Sequence, residues 1–574
     1  MATSVQEVAS TGAAPFGGGK GRRAVVIGLV LAALIGVLGP LAVSAWTGSL
    51  SIPHNDTWAF SKAAQTFAHT GHFRLLGWNS MSLVGVFVPL GPLAASIKVQ
   101  QCYAAVFGLI ALVGSFDLLR RDVGARRAAL GVLVLVSWPG FGMLSTSLMT
   151  DMPAYAAVVV SLALGRRAVE RPTWWLWTLW AIVSFWGFTV RQQTIVAPLA
   201  ILFVALWPRE WRSAAAWRSW SNRRTAAIIV LGAVLLLADL VFNEWRKGVI
   251  GGGSPSGQIH WPGVHRIVTM GPGIWLMLGL FLTPLIFLVA RPSRWSWTAR
   301  IVALVVGGVL LVTVVGYQAY MPQNYFQIQG AYSAAYLGDR PNLFPQGLWD
   351  VLTGLAVFSG ALLAGMVAHR LRTLRTELAI VFVLTLGGTV IELAAGQIIF
   401  DRYLLPLVLP LIVLLLTEPF RPMATRARAR ARTSPAGTAW LRVRTGLAGM
   451  VWLVLIAMTS LILLNAMNFD SANWKEASAV AAKNHVKDAD VNDGLDWSGY
   501  YSAAGVGGAE PNAEAGTYKE TPLLSDDQPC YVIADSPQSQ PGWQLTGTPT
   551  YRSFRFFGST EHLYVYRTAE KTCQ

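Results

Sequence analysis

Apolar residues in this chain run in long unbroken blocks, with neither the alternation of a half-buried strand nor the one-sided stripe of a surface helix. The blocks lie near 24–46, 98–119, 127–146, 151–167, 174–190, 193–207, 225–242, 270–290, 301–319, 347–368, 377–396, 403–417 and 446–466. Most run to about 17 to 23 residues, the length a helix needs to cross roughly 30 Å of hydrocarbon. The pattern predicts an all-α polytopic membrane protein with about 13 transmembrane helices. The first block follows Arg22 and Arg23. It is longer than the apolar core of a secretory signal, so a retained first helix is expected.

Two stretches break the rhythm. After the first block, Ala59, Phe60, Ala63, Ala64, Phe67 and Ala68 recur at helical spacing while Lys62, Gln65 and Thr66 take the other face. That spacing predicts a short helix lying in the membrane interface and starting at Asp56. After Asn468 the long blocks stop. CYVIAD, YRSFRFF and LYVYR alternate as strands do, and NWKEASAVAAKNH has helical spacing. A small extracytoplasmic α+β domain is expected at 467–574, behind a transmembrane domain at 24–466 and an N-terminal segment at 1–23. No internal repeat of 20–50 residues is evident.

Composition agrees with the pattern. Of the 574 residues, 53% are hydrophobic and only 13% charged, which excludes a soluble globule, whose charged fraction is nearer a quarter. Positive charge then assigns the sides, because cytoplasmic loops retain Lys and Arg. The alternate loops that include RRDVGARR, GRRAVERP and TRARARART hold most of the 45 Lys and Arg, and the N-terminus lies on their side. A multi-pass plasma-membrane protein is expected, with its N-terminus cytoplasmic and its C-terminus extracytoplasmic. The net charge of +16 reads as topology and contact with anionic membrane lipids, and no nucleic-acid partner is expected. Two of the three cysteines, Cys530 and Cys573, fall in the tail, where a disulfide is permitted. A bridge between them is expected, two free thiols being the alternative.

The polar residues at helix mouths are the candidate chemistry. Asp56, in PHNDTWAF, and Asp151, in SLMTDMPAY, each stand just outside an apolar block on the side opposite the basic loops. Either acid alone is explained as a helix cap. Arg402, in FDRYLLP, and Arg191, in FTVRQQT, stand at two further mouths on that side, and an arginine there is either an interface anchor or a phosphate ligand. Glu392 lies inside a block, where an acid is a functional candidate or half of an ion pair with Arg402 or Arg191. His54, His69 and His72 crowd the first outer loop without metal-site spacing, His54 being the candidate ligand. Lys62 is a candidate donor contact or a snorkelling side chain. GVIGGGSPSGQIHWPG has the glycine content of a lid or a plain connector.

An acid at the head of the first outer loop helix, a second in a T-D-x-P run after the third block, and RYLLP opening a late helix resemble the C-type (GT-C) glycosyltransferases. The likeness is to the group of protein O-mannosyltransferases, lipid A aminoarabinose transferases and Rhizobium-type lipopolysaccharide glycosyltransferases, over residues 24–466. It implies transfer of a sugar from a polyprenyl-phosphate donor to an extracytoplasmic acceptor, whether protein, glycolipid or cell-wall glycan, with inversion. Mannose, arabinose, galactose and glucose donors all suit it. On that footing Asp56 is the general base, Asp151 its electrostatic or metal-positioning partner, and Arg402 with Arg191 the phosphate clamp, with Glu392 and Lys62 as further donor contacts. A divalent cation, Mg2+ or Mn2+, would draw on Asp56, Asp151 and His54. Many relatives have two adjacent acids in the first loop, whereas Asp56 lies between Asn55 and Thr57. A secondary transporter, or a noncatalytic envelope scaffold, is the competing reading of the same chain.

Overall fold

The computed structural model of the chain describes residues 20–73, 84–206, 223–250, 263–317, 321–322, 324–333, 336–417, 435–501, 529–555 and 558–569. All thirteen expected blocks carry helix. Among the described residues, nine helices are long and apolar enough to cross a membrane: Gly21–Thr47, Ile97–Val123, Asp151–Glu170, Thr225–Arg246, His265–Val289, Trp297–Gly316, Gln346–Thr373, Thr376–Ala394 and Ala439–Asn484. The other four blocks hold the shorter helices Ala125–Leu135, Trp174–Val190, Val196–Leu206 and Leu405–Leu416.

The shortening has local causes. The block at 127–146 was expected to be one span, but its helix ends at Leu135 and resumes only as Phe141–Leu144. Pro139 has no N–H to give a helix, and Gly140 turns the chain left-handed at φ 74°. This irregular backbone is buried against protein, the setting in which such a break is tolerated at membrane depth. In the first span the helix loosens into a π-turn at Leu34–Leu38, just ahead of Gly39 and Pro40. A proline that cannot donate is a usual cause of such a bulge.

The C-terminal region is α+β, as expected, but it does not begin at a linker. One helix, Pro435–Asn484, runs unbroken through the boundary expected at 466/467. At 1.5 Å per residue its 50 residues span about 75 Å, far more than a bilayer core. Beyond it, β1 (Val491–Asn492), β2 (Tyr531–Ala534), β3 (Gln544–Gly547) and β6 (Tyr564–Arg567) form a sheet in the order β1-β2-β6-β3. β1 and β2 are parallel and the other pairs antiparallel. β4 (Thr550–Ser553) and β5 (Ser559–His562) make a separate antiparallel pair.

The outer loop helix forms as Thr57–Thr70. Ala59, Phe60, Ala63 and Ala64 are buried as the spacing predicts, Phe67 and Ala68 are half-buried, and Trp58 is buried beside them. Their cover includes the short helix Leu495–Tyr501 of the C-terminal region, with Gly499 set against the Trp58 ring. A surface expected to rest on lipid therefore rests partly on the protein's own C-terminal region. Cys530 is disulfide-bonded and Cys102 is free, while Cys573, its expected partner, lies outside the described residues.

Candidate functional site

Asp56 sits in a tight turn. Asn55 is left-handed at φ 47°, a conformation asparagine tolerates better than most residues. The Thr57 amide donates to the His54 carbonyl at 3.0 Å, and Thr57 Oγ1 donates to the same oxygen at 2.8 Å. Asp56 occupies the cap position of the helix that follows, yet its φ and ψ of −60° and −11° are helical and its carboxylate makes no capping bond. A working cap takes an extended backbone and accepts from an amide of the first turn. Capping therefore does not explain Asp56. Its Oδ2 instead accepts from Arg402 Nη2 at 2.8 Å, across 346 residues of sequence.

Asp151 follows the same pattern. It is the first residue of its helix, and Thr150 before it makes no side-chain cap. The Asp151 carboxylate accepts from Arg191 Nη1 and lies 4.0 Å from Arg402 Nε. Four segments remote in sequence thus converge in the order Asp56, Arg402, Asp151, Arg191. The side chains of Asp151 and Arg402 are 4% and 5% exposed, those of Asp56 and Arg191 18% and 19%. The site is closed at its middle and open at its two ends.

Aromatic rings hold the two cations. The Arg191 guanidinium stands 4.4 Å from the Tyr403 ring centre, and that of Arg402 lies 4.9 Å from Phe400 and 5.3 Å from Tyr403, within cation–π range. Arg402 uses Nη2 for Asp56, with the Tyr403 hydroxyl at 3.4 Å. Its Nε and Nη1 are buried and have no hydrogen-bond partner among the described residues. Buried donors left unpaired are costly, so the Arg402 guanidinium holds donor capacity beyond its bond to Asp56, with the Tyr325 hydroxyl and the Asp151 carboxylate beside it.

Asp401, beside Arg402, acquires a role that its sequence context did not signal. Its fully buried Oδ2 accepts the amides of Tyr325 at 2.8 Å and Phe326 at 3.0 Å, and Trp138 Nε1 donates to its carbonyl at 3.2 Å. These bonds pin the loop at 324–333 and set the Tyr325 hydroxyl beside the Arg402 guanidinium. Burial pushes the Asp401 carboxyl up to about 7, against the opposing pull of the two amides and of Arg402.

The remaining candidates are placed as follows. Glu392, in the last turn of its helix, accepts from Gln193 Nε2 at 2.7 Å in an exposed position; it stands at the rim near Arg191, and no salt bridge to Arg402 or Arg191 forms. Lys62 turns to the C-terminal region, its Nζ 4.1 Å from the Tyr500 ring centre, and burial lowers its ammonium below the ordinary value. His54 is buried and bonds Asp470 through Nδ1 at 2.7 Å. His69 and His72 are exposed. The glycine-rich stretch falls largely outside the described residues.

The acids do not fit a divalent cation. Asp56 and Asp151 both face guanidinium groups, Arg402 filling the space between them where a metal would sit, and His54 is turned to Asp470. Among the described residues no three His, Cys, Asp or Glu side chains gather as a metal site.

A family model described as dolichyl-phosphate-mannose-protein mannosyltransferase matches residues 95–241, the segment that carries Asp151 and Arg191. Over this segment the comparison agrees with the GT-C resemblance drawn from the helix-mouth motifs. Two solved structures of ArnT from Cupriavidus metallidurans are similar to the chain. The one bound to undecaprenyl phosphate is 13% identical, covers 95% of this chain and 98% of its own, and has a TM-score of 0.39. The apo structure is 15% identical, covers 72% and 80%, and has a TM-score of 0.29. No curated protein sequence matches.

Proposed function

We propose that the chain is an integral membrane glycosyltransferase that moves one sugar from a polyprenyl-phosphate donor to a hydroxyl of an extracytoplasmic acceptor. The observation that carries this reading is the buried Asp56–Arg402–Asp151 arrangement, in which a cation held between two acids keeps donor capacity beyond its bond to Asp56. The family match over 95–241 supports the same class of donor. In this reading the donor phosphate takes the remaining N–H groups of Arg402, with Arg191 as the second cation. Such charge-assisted bonds strengthen as the phosphate departs with its full negative charge. Asp56 accepts from Arg402 through Oδ2, and its other oxygen receives the acceptor proton. The acceptor oxygen bonds to the anomeric carbon, the bond from that carbon to the phosphate oxygen breaks, and a single displacement inverts the centre. Asp151 keeps both arginines oriented.

An apolar cavity of about 200 Å³ lies between the first span and the long C-terminal helix, lined by Leu34, Ile35, Val43, Trp138, Leu463 and Tyr325 among others. Tyr325 also borders Arg402. A phosphate at the arginine and the first isoprene units in this cavity would lie side by side.

Asp56→Asn tests the assignment. Since Asp56 makes no capping bond, the change removes the carboxylate charge and leaves the helix start intact. Transfer of labelled sugar from polyprenyl phosphate by purified protein should fall roughly 100-fold or more, the scale of losing a general base. Near wild-type turnover by a variant of unchanged thermal stability would overturn the role of Asp56.

A further inference from the structure

The carboxylate that carries the proposed reaction sits on a turn whose own anchor lies far away in sequence. His54 opens that turn, and its ring is 2% exposed. Its Nδ1 meets Asp470 Oδ2 at 2.7 Å, and the tautomer with the proton on Nδ1 makes this contact a hydrogen bond donated to the carboxyl oxygen. Asp470, fully buried, also receives the hydroxyls of Tyr332 at 2.6 Å and Tyr336 at 2.9 Å. Burial and the neighbouring Asp470 raise both phenols well above their ordinary value, so both remain donors. Asp470 belongs to the long helix Pro435–Asn484, at the stretch where it leaves the apolar block and enters the C-terminal region.

Resting on the proposed function above, we infer that His54 is a positioning residue. Its Nδ1–H bond to Asp470 fixes the turn His54–Thr57, and with it the Asp56 carboxylate, to the helix that joins the membrane and outer parts of the protein. Among the described residues the other side-chain bond that leaves the turn is the one from Asp56 to Arg402, which belongs to the proposed reaction itself. The turn's internal bonds run only between His54 and Thr57, and the Asp56 side chain reaches Arg402 only if the turn is held at the right place. A displacement of about 1 Å at a reacting group can cost on the order of 100-fold in rate, so a single buried bond here is worth more to turnover than to stability. His54 Nε2 is buried without a partner among the described residues, which makes the two ring nitrogens separable by experiment.

Three substitutions divide the possibilities. Asparagine presents an amide N–H near the place of Nδ1, glutamine near that of Nε2. His54→Ala should lower the turnover number by roughly 10- to 100-fold, the range of a misplaced catalytic group, with the KM for the donor changed little because Arg402 is untouched. His54→Asn should recover most of that loss, and His54→Gln should not. Hydrogen exchange in a peptide covering residues 54–60 gives a readout independent of turnover: faster in the Ala and Gln variants, near wild type in the Asn variant. An active Gln variant beside an inactive Asn variant would assign the role to Nε2 and overturn positioning through Nδ1, as would wild-type turnover in all three. If His54→Ala fails to fold, the Asn and Gln pair decides alone. Wild-type protein that transfers no sugar would sink the glycosyltransferase reading, and the exchange pattern would still report whether His54 holds the turn.

Discussion

Arg402 differs from an interface anchor in where its charge goes: into a buried contact with Asp56 and toward Asp151, with Phe400 and Tyr403 against its face. Arg402→Lys keeps the charge and would serve an anchor equally well, but a lysine ammonium is a compact point charge without the planar array of donors. Efficiency toward the lipid-phosphate donor should fall roughly 10- to 100-fold, as expected for charged hydrogen bonds worth about 1.5–3 kcal/mol; kinetics against donor concentration measure it, and unchanged efficiency would reduce Arg402 to a helix boundary. Asp401 gives a prediction in pH. Its carboxyl is raised to about 7 in the fold, above about 3.9 in an unfolded chain. A raised acid contributes stability that is complete below the unfolded value and is lost as pH rises through the folded one. Wild-type Tm should therefore fall relative to Asp401→Asn between about pH 4 and pH 7, and parallel curves would show the carboxyl already ionised in the fold. Helix-mouth position alone marked Asp56, Asp151, Arg191 and Arg402, because charge at a membrane surface needs a reason. Asp401 stands in the same FDRYLLP run and drew no role, since its partners are backbone amides 75 and 76 residues away. Asp470 was silent for a similar cause: an acid just past an apolar block is ordinary, and its histidine lies 416 residues earlier.

At the scale of elements, every apolar block carries a helix, but the blocks did not fix every length, and the short helices Val84–Phe87 and Leu495–Tyr501 lie outside them. A block reports what the membrane accepts, whereas Pro139 and Gly140 decide where hydrogen bonding stops. The outer loop helix shows the same division. Its apolar face was legible from spacing, but spacing cannot tell a lipid surface from a protein one, and the Leu495–Tyr501 helix is part of what covers it. Gly499 permits the close approach: a Cβ there would stand 2.3 Å from the Trp58 ring. Gly499→Ala should force the two helices apart, destabilising by about 1–3 kcal/mol as overpacking does, and should lower turnover because the displaced helix begins at Asp56. Gly387→Ala, in a membrane helix with nothing within 4 Å of the added carbon, is the control and should leave both unchanged. Thermal melts and transfer assays on the pair decide it; equal behaviour would mean that the outer helix does not steer the site.

Across the whole molecule, the two ends of the helix bundle carry different chemistry. Asp151 opens the helix Asp151–Glu170 at the site, and the last turns of the same helix hold Arg166, Arg167 and Glu170 in a second ionic network. There Arg166 bonds Asp122 and lies 3.3 Å from Glu377, Arg167 bonds Asp117 at 2.6 Å, and Arg375 reaches Asp122 at 2.8 Å. Twenty residues at 1.5 Å each separate these ends by about 30 Å, one hydrocarbon thickness, so the site and the basic network belong to opposite faces of the membrane. Retention of positive charge in the cytoplasm then predicts that the site and the outer domain face away from it. In a Cys102→Ser background, Ser539→Cys in the outer domain should react with an impermeant thiol reagent in intact cells. Thr173→Cys, exposed just beyond the basic network, should react only after lysis. The reverse pattern would place Asp56 and Arg402 on the cytoplasmic side, where the proposed extracytoplasmic acceptor could not reach them.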